Sequence, residues 1–218
     1  GSTGAKPDIV FRRFEEGPWD NTFNNKSLFL AAGKKVFGWF DFENNLNSGN
    51  YSFDINTSSI GSINFSSLRG VAYNGEFFAL GETDNKNIYI WKGIPGLNDE
   101  PDYIIQNPVG VGRIDMNEEW LVVSAYPGAG SPVHVIKLAN LDSGIMLSVP
   151  GNDDFPQGVS INEKGFFIAL QGSNKVVGWS SVQDALNGSS PTMSFGGTTN
   201  KTNSGTKMAS TVHWDGFH

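Results

Sequence analysis

Two arginines, a glutamine and a serine are the residues whose type and spacing could act together chemically. Arg69, Gln157 and Ser210 occupy one position of a recurring strand pattern, and Arg113 occupies the next. A fold that brings those strands to a common centre would gather two guanidiniums and two neutral polar groups there. Each guanidinium presents a planar fork of N–H donors that matches a carboxylate, so the set could hold a carboxylate or a sugar acid. The plainer alternative is that the arginines pair with loop carboxylates or cover strand-end carbonyls. Trp19, in the segment Pro18-Trp19-Asp20-Asn21 read as a long loop, is a candidate surface for sugar stacking or partner contact.

Other chemistries find little support. His134 falls inside a strand away from the centre, and His213, on an inner strand, is a lone imidazole where a metal site needs several ligands. The carboxylates at 41–43, 99–100 and 153–154 are hard oxygen donors that suit calcium, but none follows the spacing of an EF-hand loop. No cofactor is expected, with calcium the one metal such loops would accommodate. There is no Gly-x-Ser-x-Gly elbow, and Gly196-Gly197 leads into loop rather than a helix, so no catalytic residue is assigned.

The elements that must position these residues repeat. An apolar run, a polar reversal and a second alternating run ending near Trp recur four times, at 28–39, 77–91, 120–136 and 166–179. Equivalent positions Trp39, Trp91, Ile136 and Trp179 are 52, 45 and 43 residues apart, within the period of a propeller blade. An alternating inner strand precedes each of the last three units: 70–75, 113–118 and 158–163. An outer strand closes three of them, at 51–55, 101–105 and 191–195. Four short strands per unit predict an all-β fold, a β-propeller of four-stranded antiparallel blades at 18–55, 69–106, 110–149 and 156–196. Segments 7–14 and 208–218 match an outer and an inner strand, so they are expected to be parts of a closing or neighbouring blade and the chain to be a piece of a longer ring. Only 181–186 has the composition of a helical turn. The regular Trp positions are expected to pack between blades.

Composition narrows the function classes. The 218 residues carry a formal charge of −7 and are 12% aromatic, with no cysteine, which favours a packed core and excludes disulfides and thiolate sites. Asp and Glu outnumber Lys and Arg by 22 to 15, so nucleic acid is not an expected partner. No stretch approaches the roughly 20 apolar residues of a membrane-spanning helix. Asn-x-Ser/Thr sequons at Asn25, Asn50, Asn56, Asn64, Asn187 and Asn200 number about twice what composition alone would give. They lie in linkers, loops or beside outer strands, where a glycan would not enter a core.

Asn85 through Trp91, Ile94-Pro95 and Pro101 through Ile105, and after them Asn174 through Trp179, together resemble the NHL-type repeats of bacterial and archaeal secreted or cell-surface propellers. The resemblance implies a propeller and leaves activity open. Two functions are carried forward. One is a noncatalytic extracellular or cell-surface module that contacts proteins or glycans, with self-assembly through blade edges. The other is a lyase, lactonase or glycan-active enzyme with a polar, metal-containing pocket on the axis.

Overall fold

The computed structural model describes residues 19–24, 26–42, 44–45, 53–126, 132–149, 156–171, 173 and 175–196. Four antiparallel sheets of four strands each follow one another along the chain. The first comprises β1 (Asp20–Asn24), β2 (Ser27–Ala32), β3 (Lys35–Trp39) and β4 (Ile55–Thr57), after which β5 (Ser59–Ile60) and β6 (Ile63–Asn64) form a small hairpin. The second comprises β7 (Leu68–Tyr73), β8 (Phe77–Glu82), β9 (Asn87–Lys92) and β10 (Tyr103–Gln106). The third runs β11 (Val111–Met116), β12 (Trp120–Ala125), β13 (Val133–Lys137) and β14 (Asn140–Leu147). The fourth runs β15 (Pro156–Asn162), β16 (Gly165–Leu170), β17 (Lys175–Trp179) and β18 (Met193–Gly196), with helix α1 (Val182–Leu186) between its last two strands. Each sheet is a meander in which sequence neighbours pair, and the fold is a β-propeller with these sheets as blades. Segments 7–14 and 208–218 lie outside the described residues.

Details differ from the sequence pattern. The outer strand of the first blade is Ile55–Thr57 rather than 51–55, and the inner strands β7, β11 and β15 each begin two residues earlier than their alternation suggests. The segment read as a loop around Trp19 leads directly into β1, so Asp20 and Asn21 are strand residues. The register at the strand ends explains the shared turn. Asn74 Oδ1 accepts from the backbone of Glu76 and Phe77, Asn117 Oδ1 from Glu119 and Trp120, and Asn162 Oδ1 from Lys164. An Asn at the end of each of these inner strands thus caps the reversal into the next strand.

Blades are buried on both faces, so their strands read as continuous apolar runs as well as alternating ones. One core cluster joins Phe29, Ala31 and Val36 of the first blade to Val71, Phe78, Leu80, Tyr89 and Trp91 of the second. A second joins Ala72, Ile88 and Ile90 to Ile114, Leu121 and Ile136. A third joins Val122, Val133 and Val135 to Phe166, Ile168, Val177 and Trp179. Trp39, Trp91, Ile136 and Trp179 all lie on the same side of their blades, and Ile136 fills in the third blade the place that Trp takes in the others. Fully burying an aromatic or large aliphatic side chain contributes about 1.5–3 kcal/mol, so these seams are the main attraction between blades. The indole N–H groups are not left dry: Trp91 donates to the carbonyl of Asp99 at 3.1 Å and Trp179 to that of Ser189 at 2.8 Å.

Large and small residues alternate across the middle strands. Phe29 pairs with Gly38, Phe167 with Gly178, and Ala79 with Ile90. The Phe rings lie on the glycines, and a Cβ at Gly178 would come within 2.5 Å of the Phe167 ring. The hairpin before β7 is anchored differently. Glu82, buried, accepts from the backbone N–H groups of Ser66 and Ser67, the Tyr89 hydroxyl and the Asn85 amide. Burial alone would push its carboxyl up, but these four donors together hold it below the ordinary range.

Gly178→Val should therefore lower stability by about 1–3 kcal/mol in urea unfolding, and pairing it with Phe167→Leu should recover part of the loss. Equal stability of Gly178→Val and the parent would contradict the packing described.

Candidate functional site

The inner strands β1, β7, β11 and β15 converge on the axis, where backbone ladders cannot run between blades. Aligning them on their terminal Asn residues puts Trp19, Arg69, Gly112 and Gln157 in one layer and Asp20, Gly70, Arg113 and Gly158 in the next. The lower layer is closed by an ion pair: Arg113 Nη1 lies 3.5 Å from Asp20 Oδ1. Asp20 Oδ2 accepts from the backbone N–H of Val71 and of Ile114, each at 3.1 Å, so one carboxylate of the first blade ties down the second and third. Burial drives the Asp20 carboxyl up to about 7. Arg113 and the Ile114 and Val71 N–H groups oppose that rise, and the negative charge of Asp115 adds to it.

The upper layer opens into a cavity of ≈360 Å³ lined by Trp19, Arg69, Gly112, Arg113, Tyr126, Gln157 and Gln171. Tyr126 and Gln171 follow β12 and β16 at equivalent positions, and the Tyr126 N–H is fixed by the carbonyl of Gly110. Gly112 has no room for a side chain, since a Cβ there would meet Ser124 Oγ at 2.7 Å. That hydroxyl accepts from Arg113 N at 2.7 Å and donates to the carbonyl of Gln157 at 3.0 Å, linking the third and fourth blades. Arg69 Cζ lies 3.9 Å from the centroid of the Trp19 ring and 3.7 Å from that of Tyr126. Two rings cannot both stack that closely on one face, so the guanidinium is sandwiched, a geometry that cation–π attraction stabilises. Among the described residues the Arg69 side chain makes no ion pair and donates no hydrogen bond.

Arg69, Arg113 and Gln157 thus line a single cavity, and Trp19 belongs to the same site. Ser210 lies outside the described residues. Asp20, Tyr126 and Gln171 are the members that strand matching missed. For Asp20 the signal was Asn24, which stands at the end of β1 as Asn74 stands at the end of β7. A wider cavity of ≈640 Å³ at the other end of the inner strands is lined by Asn74, Asn117, Asn162 and Trp120, with Glu118 and Glu163 among its acids. There Asn74 Nδ2 donates to the carbonyl of Asn117 at 2.7 Å, again a blade-to-blade link.

The remaining candidates are dispersed. His134 is buried in β13, its Nδ1 2.6 Å from Asn107 Oδ1, and burial lowers its pKa. The carboxylates of Asp99 and Glu100 accept from backbone groups of Gly96 and Ser62. Among the described residues no three His, Asp or Glu side chains gather as a metal site would require. Asn56, Asn64 and Asn187 are exposed, whereas Asn25, Asn50 and Asn200 lie outside the described residues. No described helix is long and apolar enough to cross a membrane.

No family model matches the chain, and no curated protein matches its sequence. Solved structures do match in shape. The WD40 β-propeller domain of Doa1 superposes with a TM-score of 0.55 at 14% identity, over 87% of this chain and 57% of that one. A chain of the nidogen/laminin complex gives 0.62 at 13% identity, over 89% and 69%. Hydrazine synthase of Kuenenia stuttgartiensis gives 0.57 at 13% identity, over 88% and 52%. The chain spans little more than half the length of the Doa1 domain it matches. At such identities the likeness establishes the propeller fold alone.

The position of Asp20 sets a pH dependence. Its carboxyl ionises near 3.8 when free and near 7 in the fold, so the folded state binds the extra proton between those values. Its contribution is complete below about 3.8 and is lost as pH rises through 7. Relative to Asp20→Asn, which does not titrate, the parent should lose on the order of 2 kcal/mol of stability between pH 5 and pH 8. Urea midpoints at the two pH values measure the difference, and a gap between parent and variant that does not change with pH would count against a buried, upshifted carboxyl.

Proposed function

We propose that this chain is a noncatalytic, NHL-type propeller of the cell surface or extracellular space, serving as a binding and structural module that engages a protein partner at the axial end bearing Arg69. The observation that carries this reading is the state of Arg69: a guanidinium held between two aromatic rings with its donors unengaged by the described residues. A cation fixed before the partner arrives loses little side-chain entropy on binding. The cavity lining supports binding over turnover. It offers two guanidiniums, two amides, a phenol and an indole, while Asp20, the carboxylate beside Arg113, is committed to two backbone donors and that guanidinium. Both the Doa1 WD40 domain and the nidogen/laminin complex chain share the propeller shape, and the second is, by its own description, part of a protein complex.

Two surface features support the rest of the proposal. Asn56, Asn64 and Asn187 are exposed, in keeping with glycosylation in an exported protein. Ile104 on β10, Ile145 on β14 and Phe195 on β18 are more than half or about half exposed on outer strands, and apolar side chains on sheet edges favour edge-to-edge assembly.

A photo-crosslinking residue at position 171, compared with one at position 142 on the outer strand β14, tests the partner surface. Incubated with surface material of the producing cells, the first should give a discrete adduct with a protein other than this chain and the second should not, and the native chain should carry glycan mass. Arg69-dependent turnover of lactones or uronates, with no adduct at position 171, would favour the enzyme instead.

A further inference from the structure

The chemistry of the cavity identifies what it takes from a partner. We infer that the axial cavity is a receptor for a single carboxylate side chain, Glu or Asp, inserted by the protein partner and held in the plane of the Arg69 guanidinium. The inference rests on the binding-module reading above and specifies it.

Stacking and charge lead to the same ligand. With Trp19 and Tyr126 on its two faces, Arg69 can be approached by an acceptor only along its edge, where its N–H groups diverge in one plane. A carboxylate is the planar group that fits two such donors side by side. The local charge is small. Above pH 7, where the Asp20 carboxyl is ionised, Arg113 is balanced by it at 3.5 Å, leaving Arg69 as the uncompensated cation among the described lining residues, in a chain whose net charge is −7. One positive charge matches a monoanion, whereas a phosphate carrying nearly two negative charges would leave one unbalanced in a partly enclosed site. Gln157 and Gln171, the amides of the lining, each carry both donors and an acceptor and so suit the peptide groups flanking an inserted side chain. A volume of ≈360 Å³ accommodates an acidic side chain with its adjoining peptide units.

The probes are the blocked pentapeptide Gly-Gly-Glu-Gly-Gly, its Gln counterpart and free glucuronate, titrated against the full chain at pH 8, where Asp20 is ionised, while the Arg69 side-chain Nε–H resonance is followed by NMR. The Glu peptide should move that resonance and bind at least tenfold tighter than the Gln peptide, with affinity falling as salt rises. Arg69→Gln should abolish the difference between the peptides, and Arg69→Lys, which keeps charge but loses the fork, should weaken Glu-peptide binding about tenfold. Melting curves of both variants report folding, and if Arg69→Gln does not fold, the Lys variant decides. Equal binding of the two peptides, or unchanged binding by a folded Arg69→Lys, overturns the inference. Glucuronate bound without the Glu peptide overturns the assignment to a protein side chain. A crosslinked protein partner at position 171 that binds independently of Arg69 would leave the module reading intact and remove only the carboxylate receptor.

Discussion

The inner strand of every blade has one edge that no neighbouring strand can pair, because blades splay outward from the axis and their innermost backbones meet at an angle. Buried amide groups left without acceptors there would cost about 1–3 kcal/mol each. The chain meets this constraint with side chains. Asp20 accepts from Val71 and Ile114, Thr22 Oγ1 from Tyr73 N, and Asp115 Oδ2 from Ile161 N, so that β1 is tied to β7 and β11, and β11 to β15. Ser124 and Asn74 add links to the carbonyls of Gln157 and Asn117. These are not surface ornaments. Each is a short polar side chain on or beside an inner strand, and each crosses from one blade to the next.

This column of links explains why the candidate site lies where it does. One layer is consumed by Asp20 and Arg113, another by Thr22 and Asp115. The layer of Trp19, Arg69, Gly112 and Gln157 supplies none of these blade-to-blade side-chain links, and it opens into the cavity. The candidate site is thereby separated from the blade-to-blade links along the axis, within a few residues of each strand. The seams between blades do the complementary task. Their large-to-small matching, Phe29 on Gly38 and Phe167 on Gly178, fixes the register that brings the inner strands to a common height.

Much of the architecture was legible because it repeats. The spacing of Trp39, Trp91 and Trp179 reflects a shared packing role, and the matched positions of Arg69 and Gln157 put both in one layer of the axis. The features that sequence pattern does not encode are the non-repetitive ones. Pro18-Trp19-Asp20-Asn21 has the composition of a turn, and the strand character of Asp20 and Asn21 comes from pairing with β2, in which Asp20 faces Ala31 across the ladder. Tertiary pairing overrode local propensity there. Tyr126 was missed because its role is to lie over Arg69 from a neighbouring blade, a contact between residues 57 positions apart that no local pattern encodes. The third blade, with no Trp near the end of β13 and no Asn between β12 and β13, shows the reverse case: Ile136 takes the Trp position, so shape is conserved across the repeats while residue type is not.

Side-chain acceptors close the inner strand edges and hold the blades together at the axis. Native-state amide hydrogen exchange at Val71, Ile114 and Ile161 tests this most directly. These three amides should exchange only through global unfolding, and Asp20→Ala should speed exchange at Val71 and Ile114 while leaving Ile161, whose acceptor is Asp115, protected at the level of the variant's own global stability. If Val71 and Ile114 exchange in the parent as fast as loop amides, or if their protection relative to Ile161 survives the loss of Asp20, the blades are not held together at the axis in this way.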